Sequence, residues 1–355
     1  DLMRDYAAHL AHTTDSEPNR RAATGRIFDY CLHTAYAANR LLDPAADHAA
    51  PEPPTRGVAP EQFTDYQHAL DWFAGERAVL LNVIDHAAAG WEAKVGQLAQ
   101  AVTVFLDRRG DWHEGLAVWR TAFAAANRLS DQAAEAHAHS QIGRAYTRLY
   151  RFADADAHLH RALELVTRTG DRTAQAHIHH TLSIMCERRG DLNQALHHDR
   201  KALDLYRDTG HRLGQAKSHN AIGWHLTLLR DHEQALVYCT RALTLLRQLN
   251  DRAGQGQTWH SLGHIHHHLG QHARAIVCYQ QALNLHRELG DRFSESEALD
   301  HVGDTQHHMG YRTTARRSWQ QALDILTELD HPSADHVRAK LTARDDGPAA
   351  RHSPA

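Results

Sequence analysis

Histidine is the residue type with the most evident chemical capacity in this chain: 33 occur among 355 residues. His260, His264 and His268 stand four apart, which places all three on one face of a helix. Asp304 and His308 fall 40 residues after His264 and His268, and two imidazoles plus a carboxylate from a neighbouring helix are chemically adequate for Zn²⁺. Histidines this abundant also cluster by chance, so the expectation is that no metal is held. The same abundance raises the idea of a pH response, since imidazole titrates near ~6.5. A second set is Arg144, Arg148 and Arg188 with Asn220 and Trp224, which together could hold acidic groups, bond an extended backbone and pack an apolar side chain. No GxSxG, HExxH or cysteine–histidine signature accompanies them, and catalysis needs a nucleophile, a base and an orienting group in a dry pocket. The chain is not expected to be an enzyme.

The elements that must position these residues come from a repeat. From Asp131 to Asp330 the sequence is self-similar at a spacing of 40 residues, a mark of a solenoid. Gly143, Ser183, Gly223, Gly263 and Gly303 share one column, Ala155, Ala195, Ala235, Ala275 and Ala315 a second, and Ala162, Ala202, Ala242, Ala282 and Ala322 a third. Small residues at fixed places let two helices approach closely while aliphatic neighbours fill the layer between units. Each unit therefore reads as helix A, turn, helix B. Gly190, Gly270 and Gly310 close helix A, and Gly170, Gly210 and Gly290 close helix B, where positive φ is commonly needed. Asn250 substitutes well for glycine; Arg230 fits poorly. Asp171, Asp191, Asp231, Asp251 and Asp291 follow as N-caps.

These columns resemble the tetratricopeptide repeat, whose usual unit is 34 residues. The fold expected is all-α, a right-handed α-solenoid of tetratricopeptide-type hairpins with a 40-residue period, and each hairpin gains roughly 9 Å of helix from the extra residues. In that family helix A lines the concave wall. The resemblance then implies a groove formed by His137, Arg144 and Arg148, then His177, His180, Glu187 and Arg188, then Lys217, Asn220 and Trp224, then His260, His264, His267 and His268, and last Asp300, Asp304, His307 and His308. Such a groove is basic at the first repeats, aromatic in the middle and acidic with histidine at the end. A protein or peptide is the expected partner, with a small-molecule ligand a further option.

Five prolines between residues 44 and 60 mark a linker, and residues 61 to 331 contain none, which favours one continuous helical array. Residues 1–43 read as two helices that connect to an upstream region, 61–90 as a helical pair, 91–344 as repeats ending in a capping helix, and 345–355 as a disordered tail. The stretches "DLMRDYAAHLA", "FDYCLHTAYAANRLLDP" and "ALDWFAGERAVLLNVIDHAAAGW" resemble the segments that join a winged-helix domain to the repeats in actinobacterial regulators of the AfsR type (the Streptomyces antibiotic regulatory protein family) and in related NB-ARC regulators. What this resemblance implies is the sensor and autoregulatory half of a transcriptional regulator of antibiotic biosynthesis, docking on upstream switch domains. The chain itself carries no GxxxxGK[ST] loop and no groove-reading helix, so ATP and DNA are expected only through an upstream region. The alternative is a free-standing scaffold with no nucleotide switch attached.

Net charge near −4 gives no footprint for wrapping nucleic acid. Cys31, Cys186, Cys239 and Cys278 show no CxxC pairing and read as buried thiols of a reducing compartment. No apolar run reaches the ~20 residues that span a bilayer. A cytoplasmic protein without membrane contact is expected, and apolar residues at the ends of the array would allow homo-oligomers.

Overall fold

The computed structural model describes residue 9 and residues 13–44, 49–86 and 90–342. Fifteen helices are defined within them. The 40-residue columns become hairpins because each of their signals does the expected physical work. A Cβ added to Gly143 would lie 2.6 Å from Leu159, one on Gly223 2.4 Å from the Cys239 thiol, and one on Gly303 2.4 Å from the Trp319 ring. Helices A and B therefore touch backbone to side chain at this level, and any larger residue would force them apart. The expected caps form as well: Asp171, Asp191, Asp231, Asp251 and Asp291 each accept from the backbone N–H three residues on.

A leading hairpin, α3 (Glu92–Arg109) and α4 (Trp112–Leu129), precedes five regular ones: α5 (Gln132–Arg148) with α6 (Phe152–Thr169), α7 (Arg172–Arg188) with α8 (Leu192–Asp208), α9 (Arg212–Leu228) with α10 (His232–Gln248), α11 (Arg252–His268) with α12 (His272–Glu288), and α13 (Arg292–His308) with α14 (Arg312–Glu328). The short helix α15 (Ser333–Thr342) caps the end. The turn after α9 closes although it lacks glycine: Arg230 takes φ 67°, and its N–H bonds the Thr227 carbonyl at 3.0 Å. Two ladders tie one unit to the next. Arg172, Arg252 and Arg292 bond Asp208, Glu288 and Glu328, each 36 residues later. Gln175, Gln215 and Gln255 donate to the last-turn carbonyls of the preceding helix B.

The N-terminal part departs from expectation in one respect. Where a helical pair is expected over residues 61–90, the described residues form one helix, α2 (Tyr66–Asp85); Gly75 lies inside it, and a single interior glycine costs only about 1 kcal/mol. The long helix α1 (Glu17–Leu42) begins with Pro18 in its first turn, where its missing N–H costs nothing. The proline-rich stretch that follows is pinned: Thr55 donates to the buried Asp29 carboxylate through its N–H (3.0 Å) and its hydroxyl, and Lys94 pairs with the other oxygen. The stretch "DLMRDYAAHLA" and the tail 345–355 lie outside the described residues, except for His9.

The array closes on itself. Tyr66 of α2 donates to the Leu289 carbonyl at 2.7 Å across 223 residues of sequence. Gly110 abuts Leu329, and Gly290 abuts Leu70. Trp112, at the start of α4, joins the C-terminal core and meets Phe293 and His331 edge-on at 5.4 and 5.2 Å. This seam brings the first hairpin against the last.

Candidate functional site

Residues of neighbouring helices A meet one another, and many of the predicted groove residues already have partners there. Most of the charges are already paired between neighbouring helices A. Arg144 binds Asp107 of α3, His137 bonds Gln100 at 2.7 Å, and Lys217 lies 3.8 Å from Asp251. Asp300 and Asp304 are not an open acidic end: Lys340 of the capping helix bonds both carboxylates at 2.8 Å, and Trp319 donates to Asp304 at 3.0 Å. Asn220 turns its carbonyl toward the Cys239 thiol, 3.8 Å away. His177 packs against Tyr206 and His211, and His307 against Trp319.

The candidate metal ligands do not converge. Asp304 is taken up by Lys340 and Trp319, and His308 bonds the Asp304 backbone carbonyl. His264 meets His268 at 3.1 Å but packs at a tilt on Trp224, centroids 4.7 Å apart. Among the described residues no group of three or more His, Cys, Asp or Glu is arranged to hold a metal ion. His260 bonds His301 at 2.6 Å, and His267 bonds the Thr305 hydroxyl. Burial pushes His260 down to about 3, His264 to about 2 and His267 to about 4, and takes His301 well below its usual range. His260, His264, His267 and His301 are therefore neutral at physiological pH.

One network was not foreseen. Asp199, fully buried, and Glu187 hold the imidazole of His225 between them, Nδ1 at 2.7 Å from Asp199 and Nε2 at 3.2 Å from Glu187. His180 lies 3.4 Å from the other Asp199 oxygen, and Trp224 donates to Glu187 at 3.0 Å. Burial works against charge on His225, but hydrogen bonds to Asp199 and Glu187 overcome it and hold the imidazole up at about 9. Both carboxylates lie below their usual range despite burial, because His225, and for Asp199 also His180, bonds them. A signal existed in the columns. Asp199 stands with Leu159, Cys239, Tyr279 and Trp319, and His225 with Ala145, Met185, Ile265 and Thr305; Asp199 is the one carboxylate and His225 the one imidazole in a column that is otherwise apolar, weakly polar or aromatic.

What the pairing leaves open lies at the seam. Arg148 and Arg188, equivalent residues of α5 and α7, both stack on Phe293, 5.5 and 5.7 Å from its ring centre, and Arg188 also lies over Tyr150 at 5.1 Å. Nη1 of Arg188 is buried with no hydrogen-bond partner. Burial and then the neighbouring Arg148 lower its basicity. Beside them His331 packs on Trp112, Tyr150 and Phe293; burial first and the two guanidiniums second push it down to about 4.

The Tetratricopeptide repeat model matches residues 136–208, 175–248 and 254–329, together more than half of the chain. The chain belongs to the tetratricopeptide-repeat family. A stretch of 171 residues is 32% identical to the Regulatory protein AfsR of Streptomyces griseus, covering 46% of the chain and 17% of that relative. The chain thus spans under a fifth of the length of the regulator it matches. Among solved structures, a Rap protein complexed with competence and sporulation factor superposes with a TM-score of 0.56 at 14% identity, over 78% of this chain and 82% of that one. The STAND signal-transduction ATPase with a tetratricopeptide-repeat sensor from Pyrococcus horikoshii gives 0.49 at 14%, over 79% and 48%. Among the described residues, no helix is long and apolar enough to cross a membrane.

Proposed function

We propose that this chain is the ligand- or partner-sensing and autoregulatory repeat domain of a transcriptional regulator of secondary metabolism, working by binding rather than by catalysis. The observation that carries it is the Arg148–Arg188 pair. Two cations of adjacent helices A are stacked on Phe293 of α13, and one of their buried N–H groups has no partner. An acidic group of a protein, peptide or small molecule entering the lumen would engage them and take the guanidiniums off the residue at which the first and last hairpins meet. Binding and closure are thereby coupled, and a ligand that prefers one of the two arrangements shifts the population between them. The match to a regulatory protein supports this role, and a Rap protein of the same fold was solved with competence and sporulation factor. In this reading ATP and DNA belong to upstream domains on which the array docks.

The test is a reporter assay on the whole regulator as it occurs in the cell. Replacing Arg148 and Arg188 with Gln is expected to remove the regulated change in transcription while helical content by circular dichroism stays the same. Full regulation in that variant refutes the lumen site. An upstream region without a phosphate loop would instead favour an adaptor with no nucleotide switch.

A further inference from the structure

The seam is fastened by a buried relay that begins in the N-terminal helices. Arg108 of α3, 8% exposed, donates through Nη2 to the Leu42 carbonyl at 3.0 Å and through Nη1 to the Tyr66 hydroxyl at 2.6 Å. That hydroxyl in turn donates to the Leu289 carbonyl at 2.7 Å. Leu42 ends α1 and Leu289 caps α12, so both acceptors are helix-end carbonyls that no N–H of their own helix satisfies. Two side chains thus bond helix ends from opposite parts of the array. Tyr66 has little slack relative to α1, because the stretch leading to it is fastened there. Thr55 donates to Asp29, and Glu61 accepts from the Tyr30 hydroxyl at 3.0 Å and donates its N–H to the Thr34 hydroxyl at 3.2 Å. On the other side, Leu289 stands four residues before Phe293, which receives Arg148, Arg188 and Trp112.

We propose that α1 and α2 form a strap across the seam with Tyr66 as its latch, so that a change at Phe293 reaches the last turn of α1 through Leu289, Tyr66 and Arg108. Transmission between distant sites needs an element with a made and a broken state, and a hydroxyl bonded on both sides supplies one. That a lumen ligand sets this state rests on the function proposed above; the relay itself does not.

Hydrogen–deuterium exchange on the full chain without ligand, followed by mass spectrometry, reads both ends. The reporters are peptides holding the Asp43 amide after α1 and the Leu289, Gly290 and Asp291 amides before α13. Tyr66→Phe keeps the ring and removes the hydroxyl, and should raise exchange about fivefold at both places while α7 is unchanged. Phe293→Leu, a mild change at the seam, should also raise exchange at Asp43. In the double variant Phe293→Leu should add nothing further at Asp43, because the relay it acts through is already broken; independent sites would multiply their effects. No change at Asp43 in Phe293→Leu, multiplied effects in the double variant, or a uniform rise that includes α7 overturns the strap. Coupling in the double variant together with full regulation in the arginine variant keeps the strap and removes the lumen site; the converse pair of results removes the strap alone.

Discussion

At the level of single residues, His225 shows how charge is kept inside an α-solenoid. Removing one partner from a buried ionic network leaves uncompensated charge and costs about 3–5 kcal/mol. His225→Ala should therefore destabilise the chain by that order in urea unfolding, and a loss below about 1 kcal/mol would mean that the network does not persist in solution. The pH dependence has two limbs of opposite sign. His225 is raised to about 9, so its contribution is complete below ~6.5, the value of a free imidazole, and fades as pH rises through 9. His260, His264 and His331 are depressed to about 3, 2 and 4. The unfolded chain gains protons there first, so stability falls as pH drops below ~6.5. Melting temperatures measured from pH 5 to pH 9.5 should peak near neutrality, and a flat profile on the acid side would contradict the burial of these rings. His260 and His264 sit where α9, α11 and α13 come together. Their packing against Trp224 and His301 was not legible in the sequence, because that contact joins three repeats.

At the level of the helix, the glycine column sets the separation of A from B. Gly223→Ala would place a methyl 2.4 Å from the Cys239 thiol and should cost about 1–3 kcal/mol as overpacking. Adding Cys239→Ala to the same chain makes room and should recover part of that loss. Absence of any recovery would show that the cost comes from elsewhere in the helix. Boundaries of these helices were legible almost to the residue, since small columns, turn glycines and aspartate caps repeat five times and reinforce one another. The two misread places have local causes. Gly75 is a weak break signal on its own, with no proline or cap residue beside it, so α2 runs through. Arg230 adopts a positive φ because two ordered helices and the bond to Thr227 enforce a turn that its own preference opposes.

The whole molecule is a closed array rather than an open groove. Its seam buries Trp112 and Phe293, 5% and 4% exposed, and aromatic burial of this kind is a strong source of contact energy. The double change Phe293→Ala and Leu329→Ala should open the seam, seen as a larger radius of gyration by X-ray scattering with unchanged helical content. An unchanged radius would mean that the ends are held by other contacts. Such opening is also the motion through which a lumen ligand could report to an attached domain.

The repeat period, the helix ends and the small-residue contacts were determined by sequence alone, because each depends on neighbours within one hairpin. Three things were decided only in three dimensions: which inward charges are already paired, as Asp300 and Asp304 are by Lys340; which residues form the buried network around His225; and that Phe293 receives Arg148, Arg188 and Trp112 together. Each joins side chains at least a helix apart in the chain, and for Phe293 across most of the array. The accumulated turn of six hairpins sets that last meeting, and a column pattern that repeats faithfully carries no record of where the array will meet itself.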